Sequence, residues 1–207
     1  MNVKIEQWMN WILYDELMEG KINAPKHLLG NHDYGEGQMI TAYKPHSVSC
    51  KVIAPTGKTE YEMEKVDDKG FYALYLPKKK FVGSKYRLVT DYQDGSTVVS
   101  ADPYSFDSQI GSMDVYLFSE GNHWEIYKKL GAHPMKLDGV AGTYFAVWAP
   151  HARRVSVVGD FNMWDGALHP MHLTGSSGIY ELFIPDVGED AIYKFNILTR
   201  YGEEIYK

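Results

Sequence analysis

The sequence predicts an all-β protein: two tandem immunoglobulin-like β-sandwiches, with an N-terminal helix and a short connecting helix. Three observations predict it. The chain has 207 residues, 44% of them hydrophobic, enough for one large domain or two small ones with real cores. Short strand patterns recur at close spacing, separated by turns rather than helices. An ordered series of motifs occurs twice.

The repeat runs as follows. Leu29-Gly30-Asn31-His32 returns as Leu130-Gly131-Ala132-His133, and Pro45-His46-Ser47 as Pro150-His151-Ala152. Val52 then matches Val157. Gly70-Phe71-Tyr72 returns as Gly178-Ile179-Tyr180, with Pro77 matching Pro185. Tyr86-Arg87-Leu88 and Gly95 return as Tyr193-Lys194-Phe195 and Gly202. Order is kept at near-constant offset, the mark of a duplicated module. One segment has no twin: Asp160-Phe161-Asn162-Met163-Trp164 faces Ile53-Ala54-Pro55-Thr56-Gly57, which carries no aromatic.

Element by element, Ile5, Trp8, Met9, Ile12, Leu13 and Leu17 share one face of a helix that Gly20 can end. Residues 38–44, 48–54, 71–76 and 84–92 read as strands broken by Gly, Pro and Asp turns. Asp102-Pro103-Tyr104 closes the first module. In the joining segment, Trp124, Tyr127 and Leu130 suggest a short helix over 120–130, capped by Ser119 and stopped by Gly131. The second module repeats the strands at 143–149, 154–160, 179–184 and 191–198. The expected domains are therefore a helical extension at 1–26, a first sandwich at 27–106, a connector at 107–134 and a second sandwich at 135–207.

Composition narrows the partners. Net charge is −6, and Lys and Arg are scattered, which argues against nucleic acid. The one short basic run, Lys78-Lys79-Lys80, reads as a solvated turn. Cys50 is the only cysteine, so an intrachain disulfide is impossible, and its apolar surroundings suit a buried reduced thiol. No apolar run approaches the ~18 residues of a membrane span, and the N-terminus has no signal-peptide pattern. The expectation is a soluble cytoplasmic protein without a membrane partner.

The most chemical segment is the loop after Val155-Ser156-Val157-Val158-Gly159. It offers the Trp164 ring beside the Asn162 amide and charged groups. Rings stack on the C–H faces of sugars while polar groups take the hydroxyls. The competing place for Trp164 is the core, where large aromatics often go. Other chemistry is weaker. His169 and His172 form H-x-x-H, but no further ligand completes a metal set. Gly175-Ser176-Ser177-Gly178 lacks the phosphate-loop lysine. Nothing resembles a nucleophile elbow. No cofactor, metal or catalytic residue is assigned.

From about residue 27 onward the chain resembles the N-terminal region of bacterial glycogen (1,4-α-glucan) branching enzymes. The motifs that carry this are Asp102-Pro103-Tyr104-Ser105-Phe106, Tyr116-Leu117-Phe118-Ser119-Glu120-Gly121-Asn122-His123, Tyr127-Lys128-Lys129-Leu130-Gly131-Ala132-His133-Pro134, Phe145-Ala146-Val147-Trp148-Ala149-Pro150 and Val157-Val158-Gly159-Asp160-Phe161-Asn162-Met163-Trp164-Asp165-Gly166. His169-Pro170-Met171 and Tyr193-Lys194-Phe195 add to it. The second module resembles the isoamylase N-terminal, family-48 carbohydrate-binding module.

The resemblance implies an α-1,4-glucan or glycogen partner, contacted by Trp164 and Lys194, with Asn162 beside them and Tyr201 or Tyr206 as a second aromatic. It also implies a catalytic barrel of the same polypeptide, which this sequence does not contain. Retaining glycosyl chemistry needs two carboxylates about 5 Å apart in a cleft, so the chain alone is expected to be inactive. The other reading is a pair of structural or regulatory modules that brace a catalytic domain without holding sugar.

Overall fold

The computed structural model describes residues 2–78 and 85–207. Most of the Lys78–Lys80 turn and the start of the strand expected at 84 lie outside the described residues. Two helices open the chain, α1 (Val3–Trp8) and α2 (Trp11–Met18). Periodicity predicts one continuous helix, and the structure breaks it. Met9 turns extended, with ψ 124°, and is buried. The stripe cannot continue through that bend, and Ile12, expected on the buried face, is exposed. Asn2 caps α1 by accepting the Lys4 N–H at 2.9 Å. Gly20 closes α2 at φ +65°, a conformation glycine reaches without Cβ strain.

The chain forms two compact units, Met1–Trp11 with Lys26–Phe106 and Ile12–Pro25 with Asp107–Lys207. The first holds β1 (Gly30–Tyr34), β2 (Gly37–Tyr43), β3 (Ser47–Ile53), β4 (Glu60–Glu62), β5 (Glu64–Lys65), β6 (Phe71–Leu76), β7 (Arg87–Tyr92) and β8 (Thr97–Ala101). They make two antiparallel sheets, β1-β2-β6-β5 and β4-β3-β7-β8. Ile40, Cys50, Val52, Tyr72, Tyr86 and Leu88 pack between them. Each fully buried side chain of this size contributes roughly 1.5–3 kcal/mol of transfer free energy. Burial also pushes the Cys50 thiol up to about 11, so it stays protonated and inert at neutral pH.

The second unit adds α3 (Ser112–Ser119), β9 (Gly131–Leu137), β10 (Val140–Trp148), β11 (Ala152–Gly159), β12 (His172–Leu173), β13 (Ile179–Pro185), β14 (Tyr193–Thr199) and β15 (Glu204–Tyr206). Its sheets are β9-β10-β13-β12 and β11-β14-β15. Phe145, Val155, Val157, Tyr180, Leu182 and Ile184 are buried. Tyr193 meets Phe145 with ring centroids 4.9 Å apart.

The sheet orders repeat, and so do individual hydrogen bonds. The Lys44 N–H reaches the Gly70 carbonyl at 2.8 Å, and the Ala149 N–H reaches Gly178 at 2.8 Å. Met63 donates to Cys50 at 3.0 Å, and Met171 to Val155 at 2.8 Å. The Tyr72 hydroxyl donates to the Ser47 carbonyl at 3.3 Å, and Tyr180 to Ala152 at 3.1 Å. The duplication read from sequence is thus a duplication of structure. It fails where expected: β4 has only a single bridge, Ser156 with Pro170, as its counterpart, and the loop between them carries Trp164.

The connector differs from its sequence reading. The α-helix lies at α3, not over 120–130, and Ser119 is its last residue rather than its cap. Residues Ile126–Lys128 make only a short 3-10 turn. Asp114 starts α3 by accepting the Gly111 N–H at 2.8 Å. Gly121, at φ +70°, ends it. The reason is local chemistry: a carboxylate at the third helical position satisfies an orphan donor, whereas Glu125, ahead of Ile126–Lys128, makes no cap bond and pairs with Lys128 instead.

Candidate functional site

The loop between β11 and the Pro170 bridge is held from behind. Asn162 is 3% exposed. Its Oδ1 accepts the Gly159 N–H at 2.9 Å, and its Nδ2 donates to the Val157 carbonyl at 2.9 Å. The same Nδ2 stands 2.8 Å from His169 Nδ1. This amide is therefore turned inward as a staple, and the structure places it behind the loop rather than at its surface. His169 is engaged there too, against the Asn162 amide. Among the described residues no group of three His, Cys, Asp or Glu side chains converges on one point.

The staple supports an unusual backbone. Met163 and Trp164 stand consecutively at φ 55° and 61°. Each non-glycine residue in this region costs roughly 1–2 kcal/mol, comparable to the ~1 kcal/mol net that each of the hydrogen bonds of Asn162 returns. The strain has a product: Met163 is 80% exposed and Trp164 38% exposed. The indole N–H of Trp164 donates to Asp160 Oδ1 at 2.8 Å, and its backbone N–H to the Gly159 carbonyl at 2.9 Å. The ring is oriented, half-open and outside the sandwich core. Met163 is a member of this surface that sequence reading missed, because a methionine beside a tryptophan reads as packing.

Lys194 follows from strand register. It pairs with Val158, one residue before Gly159. Its neighbours Tyr193 and Phe195 face inward, with Tyr193 against Phe145, so alternation turns Lys194 outward, where it is exposed. Tyr206 pairs with Asn196, two residues along the same face, and is 50% exposed. On that face Arg154 is buried and donates to Ser156 Oγ and Asn196 Oδ1, both at 2.6 Å, and to Glu204 at 3.2 Å. Burial pulls its guanidinium below the ordinary value, and Glu204 opposes the shift. Tyr201 stands elsewhere. It follows Thr199, which pairs with Ala152 at the far end of β11, roughly 17 Å or more along the strand from Lys194. The structure thus brings Trp164, Lys194 and Tyr206 to one region and leaves Tyr201 at the opposite end.

A half-exposed aromatic ring, an exposed lysine and a half-exposed tyrosine can stack on a flat apolar ligand face and donate to its hydroxyls.

Known protein families match both units of the chain. The family described as alpha-1,4-glucan branching enzyme GlgB, N-terminal domain, matches residues 11–104. Carbohydrate-binding module 48 (isoamylase N-terminal domain) matches residues 129–207. The 1,4-alpha-glucan branching enzyme GlgB of Rubrobacter xylanophilus is 42% identical over 86% of this chain and 24% of its own length. That of Pseudomonas fluorescens is 43% identical over 91% of this chain and 25% of its own. The chain spans about a quarter of the length of these relatives. The solved pullulanase type I of Bacillus subtilis str. 168 is similar over 86% of this chain and 24% of its own, at 13% identity and a TM-score of 0.32, too loose a likeness to carry an argument. With both family matches in tandem and relatives aligned along nearly its whole length, the chain belongs to the 1,4-alpha-glucan branching enzyme GlgB family and carries that family's N-terminal domain followed by a carbohydrate-binding module.

Proposed function

We propose that this chain is a non-catalytic, glucan-binding and positioning region of a cytoplasmic branching enzyme, whose whole polypeptide transfers α-1,4-glucan segments to make α-1,6 branches in glycogen. The observation that carries the reading is the Trp164 ring, held half-exposed on a strained loop by Asn162 and aimed by Asp160. A core tryptophan needs no such arrangement. In this reading Trp164 stacks on a glucose ring, and Lys194 and Tyr206 donate to hydroxyls. Asn162 and Tyr201 drop out of the contact set. Stacking adds roughly 0.5–1.5 kcal/mol beyond area burial and a charge-assisted bond about 1.5–3 kcal/mol. Lost freedom offsets much of this, so millimolar to high-micromolar affinity is expected.

A second reading, modules that brace a catalytic domain without sugar, draws on the exposed aromatics Trp124, Tyr127 and Trp148. Native electrophoresis in gels with and without glycogen separates the two. Retardation by glycogen supports the first reading, and unchanged mobility together with no detectable maltoheptaose binding supports the second.

A further inference from the structure

The second unit holds a cleft of about 460 Å³ at the end of the sandwich opposite the Trp164 loop, lined by Arg153, Arg200, Asn23, Ser176, Pro150 and Leu173 among others. Two features of the strands bring its arginines together. The β11–β14 register shifts between Ala152 and Arg154, so Arg153 is the extra residue of a β-bulge, a device that re-aims a side chain. Arg200 follows Thr199, the partner of Ala152, and donates to the Pro150 carbonyl at 2.9 Å. Both guanidinium groups belong to exposed residues.

The first unit supplies an internal control. Its β3–β7 register shifts between Ser47 and Ser49, so the bulge is kept, but Val48 and Gln93 stand where the second unit has Arg153 and Arg200. The turn before β6 there carries Asp67 and Asp68, whereas the turn before β13 reads Gly175-Ser176-Ser177. The fold therefore requires the bulge and neither arginine, and the second unit has replaced acid by hydroxyl at the same rim. Glu19, a carboxylate that feels Arg153, is already bridged to Lys21 at 2.7 Å.

We propose that this cleft recognises a sugar phosphate. Paired guanidinium groups are suited to a phosphate dianion. The volume exceeds what a bare phosphate fills. The Asn23 amide and Ser176 hydroxyl suit ring hydroxyls, and Pro150 and Leu173 give an apolar patch for C–H groups. The phosphate can belong to a free hexose phosphate or to an ester on a glucan chain.

The test is an NMR titration of the labelled chain with glucose 6-phosphate, a phosphorylated maltooligosaccharide, inorganic phosphate and glucose. Both sugar phosphates are expected to shift the amides of Asn23, Arg153, Ser176 and Arg200, at concentrations about tenfold or more below those needed with glucose or inorganic phosphate. The tighter of the two identifies the source. The pair Arg153→Val and Arg200→Gln, which copies the first unit, should weaken this about tenfold or more, and Trp164→Gly should leave it unchanged. Single substitutions serve if the pair does not fold. No shifts at these amides, an equal response to glucose or to inorganic phosphate, or undiminished binding by folded arginine variants would overturn the proposal.

Discussion

The Asn162 carboxamide accepts the Gly159 N–H at 2.9 Å while donating to the Val157 carbonyl, so one side chain ties the start of the β11 loop to its own strand. Gly159 has no room to compensate by other means: a Cβ there would stand 2.6 Å from the Phe161 ring. Asn162→Ala should therefore leave buried backbone groups unmet and destabilise the second unit by about 2–3 kcal/mol. Urea unfolding followed by tryptophan fluorescence checks this. Asn162→Asp keeps the acceptor and loses the donor, and should fall between the two. A stability equal to the parent for Asn162→Ala would mean that the loop holds its shape without the staple.

Trp164→Gly separates ring from backbone. Glycine relieves the positive φ at 164, so stability should hold or rise slightly. Maltoheptaose binding should weaken about tenfold, or roughly 1.4 kcal/mol. Calorimetry on this variant therefore avoids the ambiguity of a tryptophan whose loss unfolds the protein. Unchanged affinity would remove Trp164 from the site.

The two tyrosines make opposite forecasts. Tyr206→Ala alters the face shared with Lys194 and should reduce glucan affinity several-fold. Tyr201→Ala, at the other end of β14, should leave it within error. If Tyr201→Ala is the damaging change, the ligand follows the cleft end of the sandwich rather than the Trp164 loop.

Sequence patterns revealed the central strands and β11, itself a sheet edge, and missed the other edges. β2, β6, β10 and β13 show apolar runs or alternation, and each lies between two neighbours. All of the missed strands, β1, β4, β5, β8, β9, β12 and β15, close a sheet at one side. Edge strands pair once, face solvent, and carry polar residues or proline, as Asn31-His32-Asp33 in β1 and Pro134 in β9 do. The duplication was legible because Gly30 and Gly131 both need positive φ, 105° and 114°, which constrains residue type. The site was half legible. A strand pattern can turn Lys194 outward, but no local pattern says whether the amide of Asn162 points to solvent or back at its own strand.

Acid should loosen the connector first. Burial by itself raises the Asp114 carboxyl, but hydrogen bonds from Lys129 and His123 and from the Gly111 N–H overcome it and hold it at about 2. The folded value lies below the ordinary carboxylate value of 3.8, so this contribution is complete above that value and lost as pH falls through about 2. Amide exchange in α3 should quicken over that window, and Asp114→Asn should abolish the pH dependence while weakening α3 at neutral pH.

Glu181 stands where the first unit has Ala73. Both pair centrally in their sheets, Ala73 with Thr41 and Glu181 with Ala146. Glu181 is 1% exposed. It accepts the Tyr144 hydroxyl at 2.7 Å, Thr174 at 2.9 Å and the Gln109 and Ile110 N–H groups at 2.9 and 3.3 Å, with Ser108 as a further donor. One buried carboxylate thus ties the Ser108–Ile110 segment onto β13. Glu181→Ala should cost about 3–5 kcal/mol, because several buried donors lose their shared acceptor, at about 1–3 kcal/mol for each group left unmet. Copying the first unit further tests the cause. Tyr144 occupies the position of Met39, since Tyr144 pairs with His133 as Met39 pairs with His32. Adding Tyr144→Met removes one orphaned hydroxyl, so the double variant should be less unstable than the sum of the singles by about 1 kcal/mol or more. Strict additivity would mean that the loss comes from the cavity alone and that the carboxylate does not organise the segment.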